Sequence, residues 1–265
     1  MQNFNYKEYE ITEKRELMPS TYLFRFKGKI KFEPGQFFQV ALDHFGEGTF
    51  APCSDPKDKN SFELCIRGVG STTNQMIQLL PGDKLKIRGP YGVGWPLHEL
   101  NWHDVVIIAG GLGLVPLRPL IYELIRNRIN YNKISIFAGF KSADHILFES
   151  DLLSWRKAKI EINAVAELAT DKFWGKIGLI TEPLSIAKIN PKKTKVLICG
   201  PDIMVPYCNK VLFDKKIKPN QIYISYERRM ECGIGICQHC SCGKFLVCKD
   251  GPVFRFDQIE KEILK

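Results

Sequence analysis

No stretch of this chain is long and apolar enough to cross a bilayer. The longest mostly apolar run, Val105–Leu117, falls short of the ~20 residues a spanning helix needs, and glycines at 110, 111 and 113 break it. The opening "MQNFNYKEYEITEKRE" has no apolar core, so it does not read as a secretory signal. These absences predict a soluble, cytoplasmic protein. Cysteine is also scarce: nine in 265 residues, with only Cys53, Cys65, Cys199 and Cys208 ahead of residue 231. Thiols in a reducing compartment stay reduced, so a disulfide framework is not expected. Internal repeats, low-complexity linkers and basic–aromatic recognition motifs are missing too. The formal charge of +9 is spread along the chain, "NPKKTK" (Asn190–Lys195) being the densest run. That distribution describes a solvated surface, or a basic face toward an acidic protein or anionic cofactor, and not a nucleic-acid binder.

What is present changes character near Trp95–Trp102. Before it, short alternating or aromatic-rich runs lie between turn residues: Ser20–Gly28, Pro34–Leu42, Ser61–Gly70 and Asp83–Gly92. Closely spaced strands of this kind predict a small β-barrel or sandwich. Thr73–Leu80 reads as one helical turn stopped by Pro81 and Gly82. After it, apolar strands alternate with amphipathic helices. Val105–Ala109 predicts a buried strand, and Leu114–Arg126 a helix that takes Pro116 in its first turn. A strand at Lys133–Phe140 and a helix at Phe148–Lys157, opened by a Ser150–Asp151 cap, come next. Lys159–Glu167, Lys176–Leu184, Lys195–Lys215 and Gln221–Glu227 continue the alternation. Uninterrupted apolar strands between helices argue for a parallel sheet covered on both faces. The expected division is therefore 1–98, a barrel; 99–225, an α/β domain; and 226–265, a cysteine-rich segment.

Two glycine turns lie at the carboxyl edge of the expected sheet. Gly110, Gly111 and Gly113 follow the first strand, and Gly200-Pro201 follow Cys199 at the end of another. Glycines there let a phosphate approach the backbone, and the following helix adds N–H groups and a partial positive charge. Either turn alone is equally a tight strand–helix connection; two at one edge favour a nucleotide site. Lys141, ending the strand between them, offers a cation.

The last segment, "ECGIGICQHCSCGKFLVCKDGPVF", crowds five thiols. Cys232, Cys237 and Cys240 follow C-x4-C-x2-C, with Cys248 after a further gap of seven residues. The first part matches the plant-type 2Fe–2S pattern. Zinc is the alternative, but a ribbon site needs two separated C-x2-C pairs and only one is present. Cys242 is too close behind Cys240 to serve the same cluster, and His239 reads as a solvent-facing or supporting imidazole.

Taken together, the chain resembles the ferredoxin–NADP reductase superfamily, in which a flavin-binding barrel precedes a nicotinamide dinucleotide domain. The likeness rests on the "GG-x-G-x-x-P" turn at Gly110–Pro116, the "CGP" turn at Cys199–Pro201 and "GPYG" at Gly89–Gly92. In the barrel it rests on a "P-x-S" stretch at Pro52-Cys53-Ser54 and on "R-x-x-G-x-x-T" from Arg67 to Thr73. The resemblance implies FAD held by Pro52, Cys53, Ser54, Arg67, Gly70, Thr72 and Thr73. It implies NAD(P)H held by Gly110, Gly111, Gly113, Lys141, Cys199, Gly200 and Pro201. It supports a cluster on Cys232, Cys237, Cys240 and Cys248. One departure is that Ala51 and Cys53 stand where the superfamily's flavin motif has arginine and tyrosine.

Within the superfamily, "ISYERRMECGIGICQHC" resembles sulfhydrogenase gamma subunits, anaerobic sulfite reductase B subunits and the electron-transfer subunit of dihydroorotate dehydrogenase. The last group tends to have a longer gap before its fourth cysteine, which favours the first two. The implied role is an oxidoreductase subunit moving electrons between NAD(P)H and other subunits of a redox complex, among them a multi-cluster iron–sulfur subunit. Hydride transfer needs no acid–base pair, so no catalytic side chain is expected. The rival from another class is a non-catalytic adaptor with a zinc-bound docking tail.

Overall fold

The computed structural model describes residues 4–168 and 173–263. They fold as two compact units. One holds the residues up to Trp95 together with Val115–Glu123 and Tyr226–Val253; the other holds Pro96–Leu114, Leu124–Ser225 and the residues from Phe254 on. The cysteine segment is thus not a unit by itself: most of it groups with the barrel.

The barrel is built from β1 (Lys7–Met18), β2 (Thr21–Lys27), β3 (Phe37–Leu42), β4 (Gly46–Phe50), β5 (Ser61–Arg67) and β6 (Lys84–Tyr91). Their order is β4-β3-β6-β1-β2-β5, paired antiparallel. A bridge between Pro52 and Leu64, and the Cys53 N–H on the Glu63 carbonyl at 2.9 Å, bring the chain leaving β4 onto β5 and close the sheet on itself. Phe24, Phe26, Phe38, Phe62, Leu64 and Ile66 fill the interior. The Phe26 and Phe62 rings stack at 5.1 Å, and Tyr9 meets Phe62 edge-on. The expected strands are all present. Strands β1 and β4 are additions without a clear apolar pattern: in β1 only Ile11 and Met18 are buried. Helix α1 (Ser71–Met76) starts ahead of the expected Thr73, because the Thr73 hydroxyl accepts the Val69 and Gly70 N–H groups, each at 3.0 Å.

The second unit follows the expected alternation. Short α2 (Leu97–Leu100) leads to β7 (Asp104–Gly110), then α3 (Leu114–Arg126), whose Val115–Glu123 stretch groups with the barrel, β8 (Ile134–Ser142) and α4 (Glu149–Lys157). The chain continues through β9 (Glu161–Leu168), β10 (Lys176–Ile177), α5 (Thr181–Ile186), β11 (Thr194–Cys199), α6 (Met204–Asp214) and β12 (Ile222–Ser225). The chain then passes through the barrel unit as a β13 (Ser241–Cys242) and β14 (Phe245–Leu246) hairpin and α7 (Val247–Asp250), and ends with β15 (Val253–Arg255) and α8 (Phe256–Ile263). The large sheet runs β10-β9-β8-β7-β11-β12-β15, and the ladders from β10 to β12 are parallel. Val106, Ile108, Val196 and Ile198 from central strands pack on Val205, Cys208 and Leu212 of α6 and on Phe256 of α8. Strands buried on both faces need such cover. The Ser150–Asp151 cap is a correction. Phe148 precedes α4 at φ 54° with no capping side chain, and Glu149 and Asp151 sit inside the first turn, where carboxylates favour the helix dipole.

Candidate functional site

In the α/β unit, β7 and β11 are neighbours in register, with Ala109 opposite Cys199. Their two glycine turns therefore meet at the carboxyl edge. A Cβ on Gly113 would stand 2.0 Å from the Cys199 carbonyl oxygen, and one on Gly110 would stand 2.8 Å from Pro201 and 2.7 Å from the Met204 sulfur. Only glycine permits this approach. Gly111, at φ +51°, faces open space, as a cradle for a phosphate would. Gly200 and Pro201 complete that edge, and Lys141 is exposed just past the register pair Gly110–Gly139. The Cys199 side chain is buried. Gly113→Ala is expected to force the turns apart and destabilise the protein by about 1–3 kcal/mol, read as a lower urea midpoint. Gly111→Ala, strained but unobstructed, is expected to cost only about 1 kcal/mol in the same measurement.

In the barrel unit, Pro52, Cys53 and Ser54 lie at the closure between β4 and β5. The Cys53 side chain is 0% exposed, and burial pushes its thiol well above its ordinary pKa. Its N–H is held by Glu63 and its carbonyl by Arg118 at 2.8 Å, so it serves the turn's shape. By contrast, Ser54 Oγ and Thr49 Oγ1 are buried without a hydrogen-bond partner among the described residues. An orphaned buried hydroxyl calls for a polar ligand. Arg67 is exposed at the end of β5 and makes no side-chain hydrogen bond to the described residues. Beside it, Gly70 has nothing within 4 Å of a Cβ position. This free cation and open turn suit the phosphates of FAD. Thr73 is committed to capping α1, and Thr72 donates to the Phe45 carbonyl at 2.5 Å.

The sequence reading missed the group that supports this turn. Glu63 sits on β5 at 6% exposure and bonds Arg118 of α3 at 2.7 Å and Arg25 of β2 at 2.7 Å. The available signal was a lone charge in each of two apolar stretches, "SFELC" and "VPLRPL". Trp95 Nε1 donates to the Pro116 carbonyl at 3.2 Å on the same helix.

The cysteine loop, also in the barrel unit, gathers its thiols in pairs. Cys240 and Cys248 sulfurs lie 3.2 Å apart, and the Cys237 thiol interacts with the Cys232 side chain, whose sulfur also accepts the Cys237 N–H at 3.4 Å. Among the described residues no three potential ligands converge as a single-ion site. Two thiol pairs suit a two-iron cluster, in which each iron takes two protein ligands. Backbone N–H groups already point at the sulfurs: Ile234 at 3.5 Å and Ile236 at 3.3 Å on Cys232, Gly235 at 3.1 Å on Cys248, Cys248 at 3.4 Å on Cys240. Gly233 and Gly235, at φ +74° and +81°, make that inward turn possible. N–H groups of Cys232 and His239 hold the exposed Cys237 thiol below its ordinary pKa. Burial pushes Cys248 up to about 12, so its proton must leave as metal binds. Cys242 is buried in the β13–β14 hairpin. His239 is exposed and faces Glu231 at 3.4 Å.

Barrel, parallel sheet with paired glycine turns, and cysteine loop define a class: flavin- and nicotinamide-binding oxidoreductases with an appended iron–sulfur segment. Comparison with known families agrees piece by piece. Residues 8–94 match an oxidoreductase FAD-binding domain, 107–210 an oxidoreductase NAD-binding domain, and 227–260 the iron–sulfur cluster binding domain of dihydroorotate dehydrogenase B. The sulfhydrogenase 1 gamma subunit of Pyrococcus furiosus is 37% identical, over 96% of this chain and 89% of its own. A probable dihydroorotate dehydrogenase B electron transfer subunit from Pyrococcus horikoshii is 34% identical, over 94% of this chain and 90% of its own. An NADH-dependent reduced ferredoxin–NADP oxidoreductase structure shares the fold at TM-score 0.77 and 20% identity, covering 98% of this chain and 94% of that one. The chain belongs to the family of iron–sulfur flavoprotein electron-transfer subunits that includes the sulfhydrogenase gamma and dihydroorotate dehydrogenase B subunits. No helix of the described residues is long and apolar enough to cross a membrane.

Proposed function

We propose that this chain moves electrons between NAD(P)H and a partner subunit of a cytoplasmic redox complex, and that 1–98, 99–225 and 226–265 divide the work as flavin, nucleotide and cluster segments. The observation that carries the reading is the pairing of four thiols under backbone N–H groups in a loop grouped with a flavin-type barrel. Bound FAD would take a hydride as an electron pair, and a 2Fe–2S cluster handles electrons singly. The chain's own residues bind and orient. Gly111 leaves room for the dinucleotide backbone, Gly110, Gly113, Gly200 and Pro201 let the two turns close up to form that edge, and Lys141 supplies charge there. Arg67 and Gly70 receive the flavin phosphates, and Ser54 offers its buried hydroxyl to the flavin. Cys232, Cys237, Cys240 and Cys248 are the cluster ligands, and Cys242 is not.

The relatives divide between sulfhydrogenase gamma subunits and dihydroorotate dehydrogenase B subunits. The higher identity to the former, 35–37% against 31–34% for the archaeal examples of the latter, with the short gap before Cys248, favours a hydrogenase- or sulfur-reductase-type partner. The purified protein is expected to be yellow-brown, to contain iron and acid-labile sulfide, and to bleach anaerobically with NADH or NADPH. A colourless zinc-containing preparation would support the adaptor instead. Staining the intact complex with protons, sulfur, sulfite and orotate in turn identifies the terminal reaction.

A further inference from the structure

Arg88 points from β6 into the protein, its side chain 4% exposed. A buried guanidinium must have its donors met, and those of Arg88 are shared between barrel and cysteine loop. Its Nε donates to the Tyr6 hydroxyl at 2.9 Å, and Nη2 to both Glu47 carboxylate oxygens at 3.1 Å. Nη1 reaches the Tyr91 hydroxyl at 3.4 Å and the Cys232 carbonyl at 2.7 Å, and Nη2 reaches the Glu231 carbonyl at 3.2 Å. The Tyr6 hydroxyl donates in turn to Glu47. Rings of Tyr6 and Tyr91 lie 5.3 and 5.5 Å from the guanidinium carbon. Gln39, opposite Arg88 in the β3–β6 register, is 0% exposed with both amide atoms unpartnered among the described residues. It stands against the loop: a Cβ on Gly233 would be 3.2 Å from Gln39 Cγ and 3.1 Å from the Tyr91 ring. The loop that carries Cys232 therefore rests on a buried, charged floor.

We propose that Arg88, balanced by Glu47, is a positioning residue that seats the Cys232 end of the cluster loop and raises the cluster's reduction potential. The inference rests on Cys232 being a cluster ligand. Reduction adds one electron, with no bond made or broken, to a centre that already carries negative charge. A fixed cation one carbonyl group from a ligand favours that added charge, and the carboxylate on its far side opposes it. Arginine suits the task because its planar fork holds carbonyls and carboxylate together, and it remains charged.

The test is an EPR-monitored redox titration of the full-length, cluster-loaded protein, with iron and labile sulfide assayed on every sample. Arg88→Gln is expected to lower the ratio of reduced to oxidised cluster at a fixed ambient potential about tenfold, a shift of ~59 mV for a one-electron couple. Glu47→Gln, which removes the opposing charge, is expected to raise that ratio. Arg88→Lys, keeping charge but losing the fork, should fall between Arg88→Gln and the parent. A purely structural Arg88 would lower iron content without opposite shifts in potential. Variants that keep about two irons per chain and titrate with the parent would overturn the proposal. Should Arg88→Gln lose its cluster, the Glu47→Gln potential decides alone. Parent protein without iron and sulfide would overturn the cluster assignment, and this proposal with it.

Discussion

Replacing Cys240 with alanine is expected to abolish electron delivery to the partner, by about 100-fold or more, while NAD(P)H still bleaches the flavin. Cys240 is 1% exposed and its sulfur lies 3.2 Å from that of Cys248. Removing it leaves one iron with a single protein ligand, which a buried site cannot make good with solvent. Iron should fall from about two per chain toward zero, and the reduced-cluster EPR signal should vanish. The control is Cys242→Ser. Cys242 is also buried, 2% exposed, but lies in the β13–β14 hairpin outside the two thiol pairs, so iron content and the EPR signal should be retained. Loss of iron in Cys242→Ser with retention in Cys240→Ala would reverse the ligand assignment. Flavin reduction, followed at the flavin band, separates damage at the cluster from damage to the barrel.

The second large effect is expected at the buried ion pair. Arg118 and Glu63 side chains are each 8% exposed and 2.7 Å apart, and the same Arg118 nitrogen holds the Cys53 carbonyl. Among the described residues, Arg118→Leu leaves the buried carboxylate with Arg25 alone, itself 46% exposed, and it frees the Cys53–Ser54 turn. Breaking such a pair from one side costs about 3–5 kcal/mol. The unfolding midpoint should drop by roughly 10 °C, and FAD should be lost more readily in dialysis. Glu63→Gln should be comparably harmful, since it leaves two guanidiniums around a neutral group. Arg118→Lys should recover only part of the loss, because an ammonium cannot reach carboxylate and carbonyl in the same planar geometry. The exposed Arg25–Glu13 pair makes the contrast: at 46% and 49% exposure it should contribute under about 1 kcal/mol. If Arg118→Leu unfolds with the parent and keeps its FAD, the pair does not support the flavin turn.

Local signals carried much of this protein in its sequence. The period-two runs at Thr21–Lys27 and Ser61–Arg67, the strand–helix alternation from Asp104 onward, and helix α3 over Leu114–Arg126 were all readable, because apolar spacing and turn residues act over a few positions. The paired glycine turns and the C-x4-C-x2-C spacing were readable for the same reason: close approach and metal ligation demand particular residues at particular intervals. Strand β1 was not, since it pairs on both edges while exposing most of its side chains to water. The closed barrel depends on Pro52 meeting Leu64, and the grouping of Tyr226–Val253 with that barrel depends on contacts far apart in the chain.

The charged residues divide most sharply. By itself the sequence determined which chemistries the chain carries, since glycine turns and thiols declare themselves by spacing. Only the tertiary structure decided which of its 38 lysines and arginines matter. Arg118 finds Glu63 across 55 positions and Arg88 finds Cys232 across 144, and no local spacing says which partner either arginine takes. A guanidinium on a strand or helix reads as solvated until the fold removes the water; once buried, it must be paired, and its partners then become part of the site.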